Sequence, residues 1–297
     1  IDGQITQFSN IMIEFDKICK KEKPDLVIVP GDVNSTLACA LVATKNNIKI
    51  AHLEAGLRSF DKEMPEEINR LLTDQLSDFL FTTEPSAKSN LLKEGVDKNK
   101  IIFSGNTMID TLVKNISTAK QLSVYKKYGL SKKEYCLVTM HRPSNVDELS
   151  GLKNIIKMLN ELSDHINVIF PIHPRTEKKM RQAGLTFNDS VLCIAPLSYL
   201  EFLSLLNYAS IVLTDSGGVQ EETTYLGVQC VTYRNNTERP VTIDVGTNHL
   251  AGCDVNNTLK VIQTILNDGG KTGKIPKNWD GKAGLRTIDY IRKVDFS

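Results

Sequence analysis

Hydrophobic positions along the chain switch repeatedly between two periods. Near the start, apolar residues recur at helical spacing from Phe8 to Ile18, and Pro24-Asp25 ends this pattern before the short apolar run Leu26–Val29. A run of this length with β-branched residues is typical of a buried parallel strand. Similar runs follow, with helical patterns between them, at Ile48–Leu53, Asp78–Thr82 and Ile101–Phe103. The alternation predicts an α/β fold built on a parallel sheet.

A second series of strands and helices follows a stretch rich in Lys, Ser and Tyr, from Ser117 to Lys133, which we interpret as a connector. The strands predicted after it are Tyr135–Met140, Asn167–Ile172, Val191–Ala195, Ile211–Thr214 and Val228–Thr232. The helices predicted between them lie near Gly151–Leu162, Thr176–Ala183, Tyr199–Asn207 and Val219–Leu226. The pattern predicts two Rossmann-like lobes, residues 1–117 and 118–280, with residues 281–297 forming a C-terminal helix that packs back on a lobe.

Charge and composition exclude several classes of function. The 297 residues carry 36 Lys and Arg against 35 Asp and Glu, so the basic surface of a nucleic-acid-binding protein is not expected. The longest stretch without a charged residue has thirteen residues, Phe202–Thr214, whereas a membrane helix needs roughly 20 apolar residues. The six cysteines are too widely spaced for a zinc motif or a disulfide framework. They predict a reducing, cytoplasmic compartment, and we recognise no signal peptide.

A glycine-rich turn follows the predicted strand Ile211–Thr214. In Asp215-Ser216-Gly217-Gly218, two glycines let the backbone approach a phosphate, and the N-terminus of the following helix stabilises negative charge. Glu222 lies one helical turn further on and can accept hydrogen bonds from ribose hydroxyls. The pattern indicates a nucleotide site, although an ordinary βα turn with acidic residues in the first helical turn explains the same residues.

Cationic residues and histidines follow other strands of the second lobe. Arg239, in Thr237-Glu238-Arg239-Pro240, is a candidate phosphate clamp on the loop after Val228–Thr232; a solvated Arg–Glu pair is the alternative. His141 and His173 each come directly after a strand, which favours acid–base chemistry over a place in the core. His141 can equally be a phosphate ligand.

Three carboxylates gather on loops of the first lobe. Asp32 and Glu54 follow the first two predicted strands, whose ends meet at one edge of the sheet, and Glu66 lies in Met64-Pro65-Glu66-Glu67. A structural alternative explains one of the two adjacent acids: proline and acids open a helix whose buried face is expected to carry Ile68, Leu71 and Leu72. It does not explain a third acidic position beside Asp32 and Glu54.

Six motifs together resemble the non-hydrolysing UDP-N-acetylglucosamine 2-epimerase family, and the match runs nearly end to end. In the family's order they are Val29–Asp32, His52–Arg58, Pro65–Arg70, Val138–Arg142, Thr214–Glu222 and Thr237–Pro240. The resemblance implies a glycosyltransferase-B architecture and an isomerase that reversibly inverts C2 of UDP-N-acetylglucosamine to give UDP-N-acetylmannosamine. It implies anti elimination of UDP to a 2-acetamidoglucal followed by syn re-addition, with no cofactor and no metal. It further implies a homodimer that supplies cell-surface polysaccharide synthesis.

The resemblance also implies roles for individual residues. The catalytic positions are Asp32, Glu54, Glu66 and His141, with Arg70 in support. The UDP-binding positions are Ser216, Gly217, Gly218, Glu222 and Arg239, while Phe202 lies where the family packs the uracil and His173 lies in a segment that lines the nucleotide site.

The chain departs from the family's pattern in two places. The family opens with a strand and a Gly-x-Arg-Pro-Glu loop, whereas this chain opens on the Phe8–Ile18 helix, so the first lobe is expected to lack its N-terminal βα units. Ser144 stands where the family usually has Glu. Four alternative functions stay open: epimerisation of a related UDP-acetamido sugar, glycosyl transfer on the same fold, non-catalytic binding of a UDP-sugar, and hydrolysis that releases free N-acetylmannosamine.

Overall fold

Ten β-strands and thirteen α-helices alternate along residues 3–296, the part of the chain that the computed structural model describes. The strands are β1 (Leu26–Pro30), β2 (Lys49–Leu53), β3 (Phe79–Thr82), β4 (Ile101–Phe103), β5 (Tyr135–Thr139), β6 (Asn167–Pro171), β7 (Val191–Ile194), β8 (Ile211–Thr214), β9 (Gln229–Thr232) and β10 (Asn248–Leu250). The helices are α1 (Gln4–Glu22), α2 (Asn34–Lys45), α3 (Pro65–Leu76), α4 (Pro85–Lys93), α5 (Thr107–Leu122), α6 (Pro143–Val146), α7 (Leu149–Ser163), α8 (Pro174–Gln182), α9 (Tyr199–Tyr208), α10 (Gly217–Leu226), α11 (Val241–Asp244), α12 (Val255–Asp268) and α13 (Ala283–Ile291). Within residues 3–296, no helix combines the length and apolar character needed to cross a bilayer.

The chain divides into two compact units, which we call unit 1 and unit 2. Unit 1 holds the residues up to Asp110 together with those from Lys277 onwards, and unit 2 holds Thr111–Pro276. The division falls between Asp110 and Thr111, and the predicted 117/118 boundary lies further along the same continuous helix, α5. The stretch after α5 is not a loose connector either, since Val124 and Tyr125 are buried in the core of unit 2.

The sheet of unit 1 has four parallel strands in the order β1-β2-β3-β4. Val27 and Val29 of β1 and Ile50 of β2 pack with Ala40 and Ala43 of α2 to form one core layer. A second cluster, formed by Ala55, Leu80 and Leu91, packs around β3 and α4. This parallel arrangement brings the carboxyl ends of β1 and β2, which precede Asp32 and Glu54, to the same edge.

The segment from Lys277 closes unit 1. Trp279 is fully buried and donates its indole N–H to the carbonyl of Thr83 at 2.9 Å. Gly105 has a φ of +95°, and a Cβ there would lie 2.1 Å from the carbonyl oxygen of Asn278, so only glycine allows this close approach. Asp110 accepts the backbone N–H groups that open α13.

The sheet of unit 2 has six parallel strands in the order β10-β9-β8-β5-β6-β7. Buried residues form two large clusters, in keeping with helices on both faces of this sheet. The direction of winding reverses between β5 and β8, whose ends pair at Thr139 and Thr214. In open α/β sheets, ligands bind at this reversal, outside the carboxyl ends of the strands. The α/β prediction is confirmed, and this switch point is the place to look for a site.

Several regular elements of unit 2 are not among those predicted from the sequence. Helices α6 and α11 have only four residues each. Strand β10 has only three residues, too few for a recognisable pattern. Helix α12 carried a clear pattern, since Val255, Leu259, Ile262 and Ile265 are buried at helical spacing and Asp254 caps it through the N–H of Asn257 at 2.7 Å.

Candidate active site

Asp215, at the switch point of unit 2, organises the loop that follows β5. Its carboxylate accepts the backbone N–H groups of His141 (3.0 Å) and Arg142 (2.9 Å) and the side-chain N–H of Asn145 (2.9 Å). The same carboxylate lies 2.9 Å from Nδ1 of His141. Asp215 is completely buried, and although burial opposes ionisation, these hydrogen bonds hold its pKa below the ordinary value.

The contact with Asp215 determines the tautomer of His141 and raises its pKa. The Asp215 carboxylate accepts from Nδ1, which leaves Nε2 for proton exchange, and 58% of the His141 side chain is exposed. The hydrogen bond to Asp215 raises the pKa of His141, against the effects of burial and of Arg142 and Arg234. His141 and Asp215 therefore form an oriented acid–base pair, and no sequence pattern predicts this role for Asp215.

The glycine-rich turn places a guanidinium against the first turn of α10. Ser216 precedes the helix, and its N–H is held by the hydroxyl of Thr214 at 2.9 Å. A Cβ on Gly217 would lie 2.4 Å from Nη1 of Arg239. The lack of a side chain at Gly217 thus lets the Arg239 guanidinium lie beside the N-terminus of α10, whose backbone N–H groups can donate to an anion.

Arg239 is held by carboxylates and is 7% exposed. Its Nε lies 2.8 Å from the carboxylate of Glu221, which is completely buried, and its Nη1 donates to Glu238. Glu238 also accepts from Nη2 of Arg234 at 2.8 Å, so one carboxylate orients two guanidinium groups. The alternative of a solvated Arg–Glu pair is wrong, because these side chains are buried.

Glu222 provides a buried carboxyl group one turn along α10. It is 5% exposed, and the hydroxyl of Tyr199 donates to its Oε1 at 3.0 Å. Burial raises the pKa of Glu222 to about 7, with the Tyr199 hydrogen bond opposing the change. A carboxyl that titrates near neutral pH can switch between donating and accepting hydrogen bonds.

Two other sequence candidates lie in or directly before helices of unit 2. Phe202 lies in α9 and is partly buried, and Ser198 and Glu201 form a capping box at the start of that helix. His173 is exposed and caps α8, accepting the N–H of Arg175 through Nδ1 at 3.2 Å. Both lie near helix starts that follow strand ends.

In unit 1, Asp32 and Arg70 meet directly. The guanidinium of Arg70 donates to the carboxylate of Asp32 and to that of Glu67. Asn69 donates to the backbone carbonyl of Asp32 at 2.9 Å. Helix α3 therefore holds both the backbone and the side chain of Asp32.

The two adjacent acids of α3 have different environments. Glu67 is buried and accepts from the N–H and hydroxyl of Ser59 and from the N–H of Phe60, each at 2.9 Å. These hydrogen bonds and the contact with Arg70 outweigh the effect of burial, so the pKa of Glu67 is lowered. Glu66 is exposed and lines a cavity of about 310 Å³. Glu67 is thus the structural acid, and Glu66 is the one available to a ligand.

Glu54 has a backbone conformation that side chains rarely adopt. Its φ is +68°, in the left-handed region, and the neighbouring residues hold it there through the bonds Gly31 N–H to Leu53 O (3.0 Å) and Ala55 N–H to Phe81 O (3.1 Å). A non-glycine residue in this region costs on the order of 1 kcal/mol, and such residues cluster at functional sites.

Comparison with known proteins gives consistent matches over nearly the whole chain. The family model for UDP-N-acetylglucosamine 2-epimerase matches residues 2–292. A UDP-N-acetylglucosamine 2-epimerase of Methanocaldococcus jannaschii is 44% identical over 96% of this chain and 80% of its own length. A UDP-2,3-diacetamido-2,3-dideoxy-D-glucuronate 2-epimerase of Pseudomonas aeruginosa is 39% identical over 98% of this chain and 81% of its own.

A solved structure agrees with the sequence matches. The crystal structure of the M. jannaschii UDP-GlcNAc 2-epimerase in complex with UDP-GlcNAc and UDP superposes with a TM-score of 0.87 at 42% identity. The match covers 98% of this chain and 82% of that chain.

Proposed function

The chain belongs to the UDP-N-acetylglucosamine 2-epimerase family, and from that premise we propose that it interconverts UDP-N-acetylglucosamine and UDP-N-acetylmannosamine. The observation that carries the proposal is the switch point of unit 2. There the oriented His141–Asp215 pair, the start of α10 with Arg239, and the buried Glu222 come from neighbouring strand ends. These groups suit a nucleoside diphosphate and a proton transfer.

The chemistry of the substrate requires elimination. The C2 hydrogen of a 2-acetamido sugar is not adjacent to a carbonyl group, so direct deprotonation is too slow. A base removes this proton, and the electron pair of the C2–H bond forms a C1–C2 double bond. The C1–O bond breaks at the same time, and its electron pair leaves with UDP. A proton is then added to C2 from the other face while UDP adds back to C1. The enzyme must supply acid–base groups and bind the departing UDP.

We assign UDP binding to residues of unit 2. The N–H groups at the start of α10, with Ser216, Gly217 and Gly218, and the guanidinium of Arg239 bind the diphosphate. Glu222 accepts hydrogen bonds from the ribose, Phe202 packs against the uracil, and His173 lies in a segment that lines the nucleotide site. The burial of Arg239 and Glu222 supports this assignment, since groups held by their neighbours lose little conformational freedom on binding.

We assign proton transfer to His141 and to three carboxylates of unit 1, Asp32, Glu54 and Glu66. The orientation of His141 by Asp215 supports its role. The strained backbone of Glu54 and the exposure of Glu66 support theirs. Arg70 supports Asp32 through their direct contact.

The proposal includes a cytoplasmic homodimer that supplies polysaccharide synthesis. The homodimer is supported by Ile68 and Leu72 of α3, which are 46% and 48% exposed although they are large and apolar. The spacing of the six cysteines supports the location.

Solvent exchange at C2 tests the reaction. In heavy water, UDP-N-acetylmannosamine formed from UDP-N-acetylglucosamine is expected to carry deuterium at C2, because carboxyl and imidazole protons exchange rapidly with solvent. Proton NMR measures both the product and the label. Product that retains its C2 proton contradicts the mechanism, and unchanged substrate indicates a binding protein. Turnover of only the UDP-diacetamido uronate would support the second candidate, which the 39% identity to the Pseudomonas enzyme favours.

The pH dependence of UDP binding tests the role of Glu222. Because its pKa is about 7, the carboxyl is ionised at pH 8 and protonated at pH 6, and the ionised fraction falls about tenfold between them. If the carboxylate accepts the ribose hydroxyls, UDP affinity measured by calorimetry should fall about tenfold more in the wild type than in Glu222→Gln. Ionisation of the UDP phosphates affects both proteins equally, so the comparison with the variant cancels it. Equal pH dependence of UDP affinity in the two proteins contradicts the role of Glu222.

A further inference from the structure

A histidine and an aspartate at the centre of unit 1 connect three separate segments. His52 of β2 and Asp74 of α3 have completely buried side chains, and Nδ1 of His52 lies 2.6 Å from Oδ1 of Asp74. The other ring nitrogen, Nε2, lies 2.8 Å from the carbonyl oxygen of Gly31, after β1. The second carboxylate oxygen of Asp74 accepts the N–H of Gly56 at 3.0 Å. The pair thus links β1, β2 and α3 to the loop after β2.

The partners of His52 determine where its protons lie. The carbonyl oxygen of Gly31 only accepts hydrogen bonds, so Nε2 must donate. Asp74 already accepts at Oδ2 from Gly56 and from Nη2 of Arg58, 2.7 Å away, which favours an ionised carboxylate that also accepts at Oδ1. Both ring nitrogens are therefore donors, and the ring is an imidazolium.

The charges around this pair compensate one another. Arg58 donates to Glu94, at the end of α4, with distances of 2.8 and 2.6 Å. His52 and Arg58 carry two positive charges against the two negative charges of Asp74 and Glu94. Burial lowers the pKa of His52, but the charge and hydrogen bond of Asp74 outweigh it, with smaller contributions from Gly31 and Glu54, so its pKa is raised. The pKa of Asp74 is lowered by His52 and Arg58 in spite of burial.

Each connection ends beside a residue to which we assign catalysis. Gly31 directly precedes Asp32, Gly56 follows Glu54 by two positions, and Asp74 lies one helical turn after Arg70. We propose that His52, as a buried imidazolium, and Asp74 form a positioning pair that fixes Asp32 and Glu54 in their working places. This inference rests on the proposed function for its effect on turnover, but not for the state of the pair.

The protonation of His52 can be measured without substrate. In the wild-type protein labelled with ¹⁵N-histidine, both ring nitrogens of His52 are expected to carry protons at pH 7.5 in a two-bond ¹H–¹⁵N correlation spectrum. Asp74→Asn identifies the resonance, because it removes the charge that holds the second proton. A His52 ring with one unprotonated nitrogen in the wild type at pH 7.5 overturns the proposed imidazolium, whatever reaction the protein catalyses.

Turnover tests the positioning role. Gln at position 52 cannot donate to Gly31 and Asp74 together, so His52→Gln is expected to lower kcat about 100-fold, as displacements near 1 Å at reacting groups do. UDP affinity should stay within twofold, because the UDP-binding residues lie in unit 2, and unchanged affinity also shows that unit 2 is folded. His165→Gln, at an exposed histidine, is the control and should leave kcat unchanged.

A second variant distinguishes the hydrogen-bond connections of the pair from its charges. It also provides a test if His52→Gln does not fold. The amide of Asp74→Asn can donate to an unprotonated Nδ1 and still accept from Gly56, so the pair keeps its connections and its zero net charge. We expect kcat within tenfold of the wild type. A kcat for His52→Gln within threefold of the wild type overturns the positioning role, as does a 100-fold loss in Asp74→Asn. Absence of epimerisation by the wild type would instead contradict the proposed function.

Discussion

Replacing Asp215 with asparagine is expected to lower kcat about 1,000-fold while leaving UDP affinity within threefold. The carboxylate of Asp215 faces donors alone: two backbone N–H groups, the amide of Asn145 and Nδ1 of His141. An asparagine side chain has only one accepting oxygen, and its NH₂ group would oppose one of these donors. The imidazole then loses the partner that fixes its tautomer and orientation, a loss worth about four orders of magnitude in serine proteases.

The pH profile distinguishes this role from simple loss of structure. Asp215 raises the pKa of His141, so in Asp215→Asn that pKa should fall toward its ordinary value. The limb of the kcat profile that reports His141 is therefore expected to move to lower pH. Asp189→Asn, which changes an exposed carboxylate of the same unit, is the matched control. A kcat within threefold of the wild type and an unmoved limb would contradict the assignment.

Replacing Arg239 with alanine is expected to weaken both the fold of unit 2 and the binding of UDP. The guanidinium lies between Glu221 and Glu238, and its removal takes a positive charge away from two buried carboxylates. Glu238 retains Arg234, whereas Glu221 loses the guanidinium 2.8 Å away. Breaking a buried pair in this way costs about 3–5 kcal/mol. Loss of a charge-assisted contact to the diphosphate should reduce the binding free energy of UDP by about 1.5–3 kcal/mol.

Denaturant titrations with and without UDP measure both effects. The midpoint without UDP reports stability, and the additional stabilisation at a fixed UDP concentration reports affinity. Arg181→Ala is the control, because Arg181 is 77% exposed and its helical pair with Glu177 should contribute less than about 0.5 kcal/mol. An Arg239→Ala protein with the wild-type midpoint and the wild-type gain from UDP would refute the structural and the binding role together.

The strands could be read from the sequence because buried parallel strands are continuous apolar runs. Every strand predicted from such a run is present, within one or two residues of its predicted ends. The fold class followed from their alternation with helical patterns. Domain limits did not, since the division at Asp110 lies inside a continuous helix, where neither composition nor a turn marks it.

Helix α3 shows why site details are harder to predict. Its periodicity predicts that Ile68 and Leu72 are buried, but both are largely exposed, while Glu67, Arg70 and Asp74 face the interior. The prediction was wrong because the interior beside this helix is a network of charged hydrogen bonds, and its partners are distant in sequence. Periodicity reports only where apolar residues lie. It could not decide between Glu66 and Glu67, nor show that Asp215 holds His141.

The buried Trp279 belongs to unit 1, although more than half the chain separates it from the first strand of that unit. During synthesis on a ribosome, all of unit 2 emerges before the segment that closes unit 1. The usual order, in which the N-terminal domain folds first, is therefore reversed for completion of the native state. Since Trp279 is the single tryptophan of the chain, its fluorescence reports this last closing step.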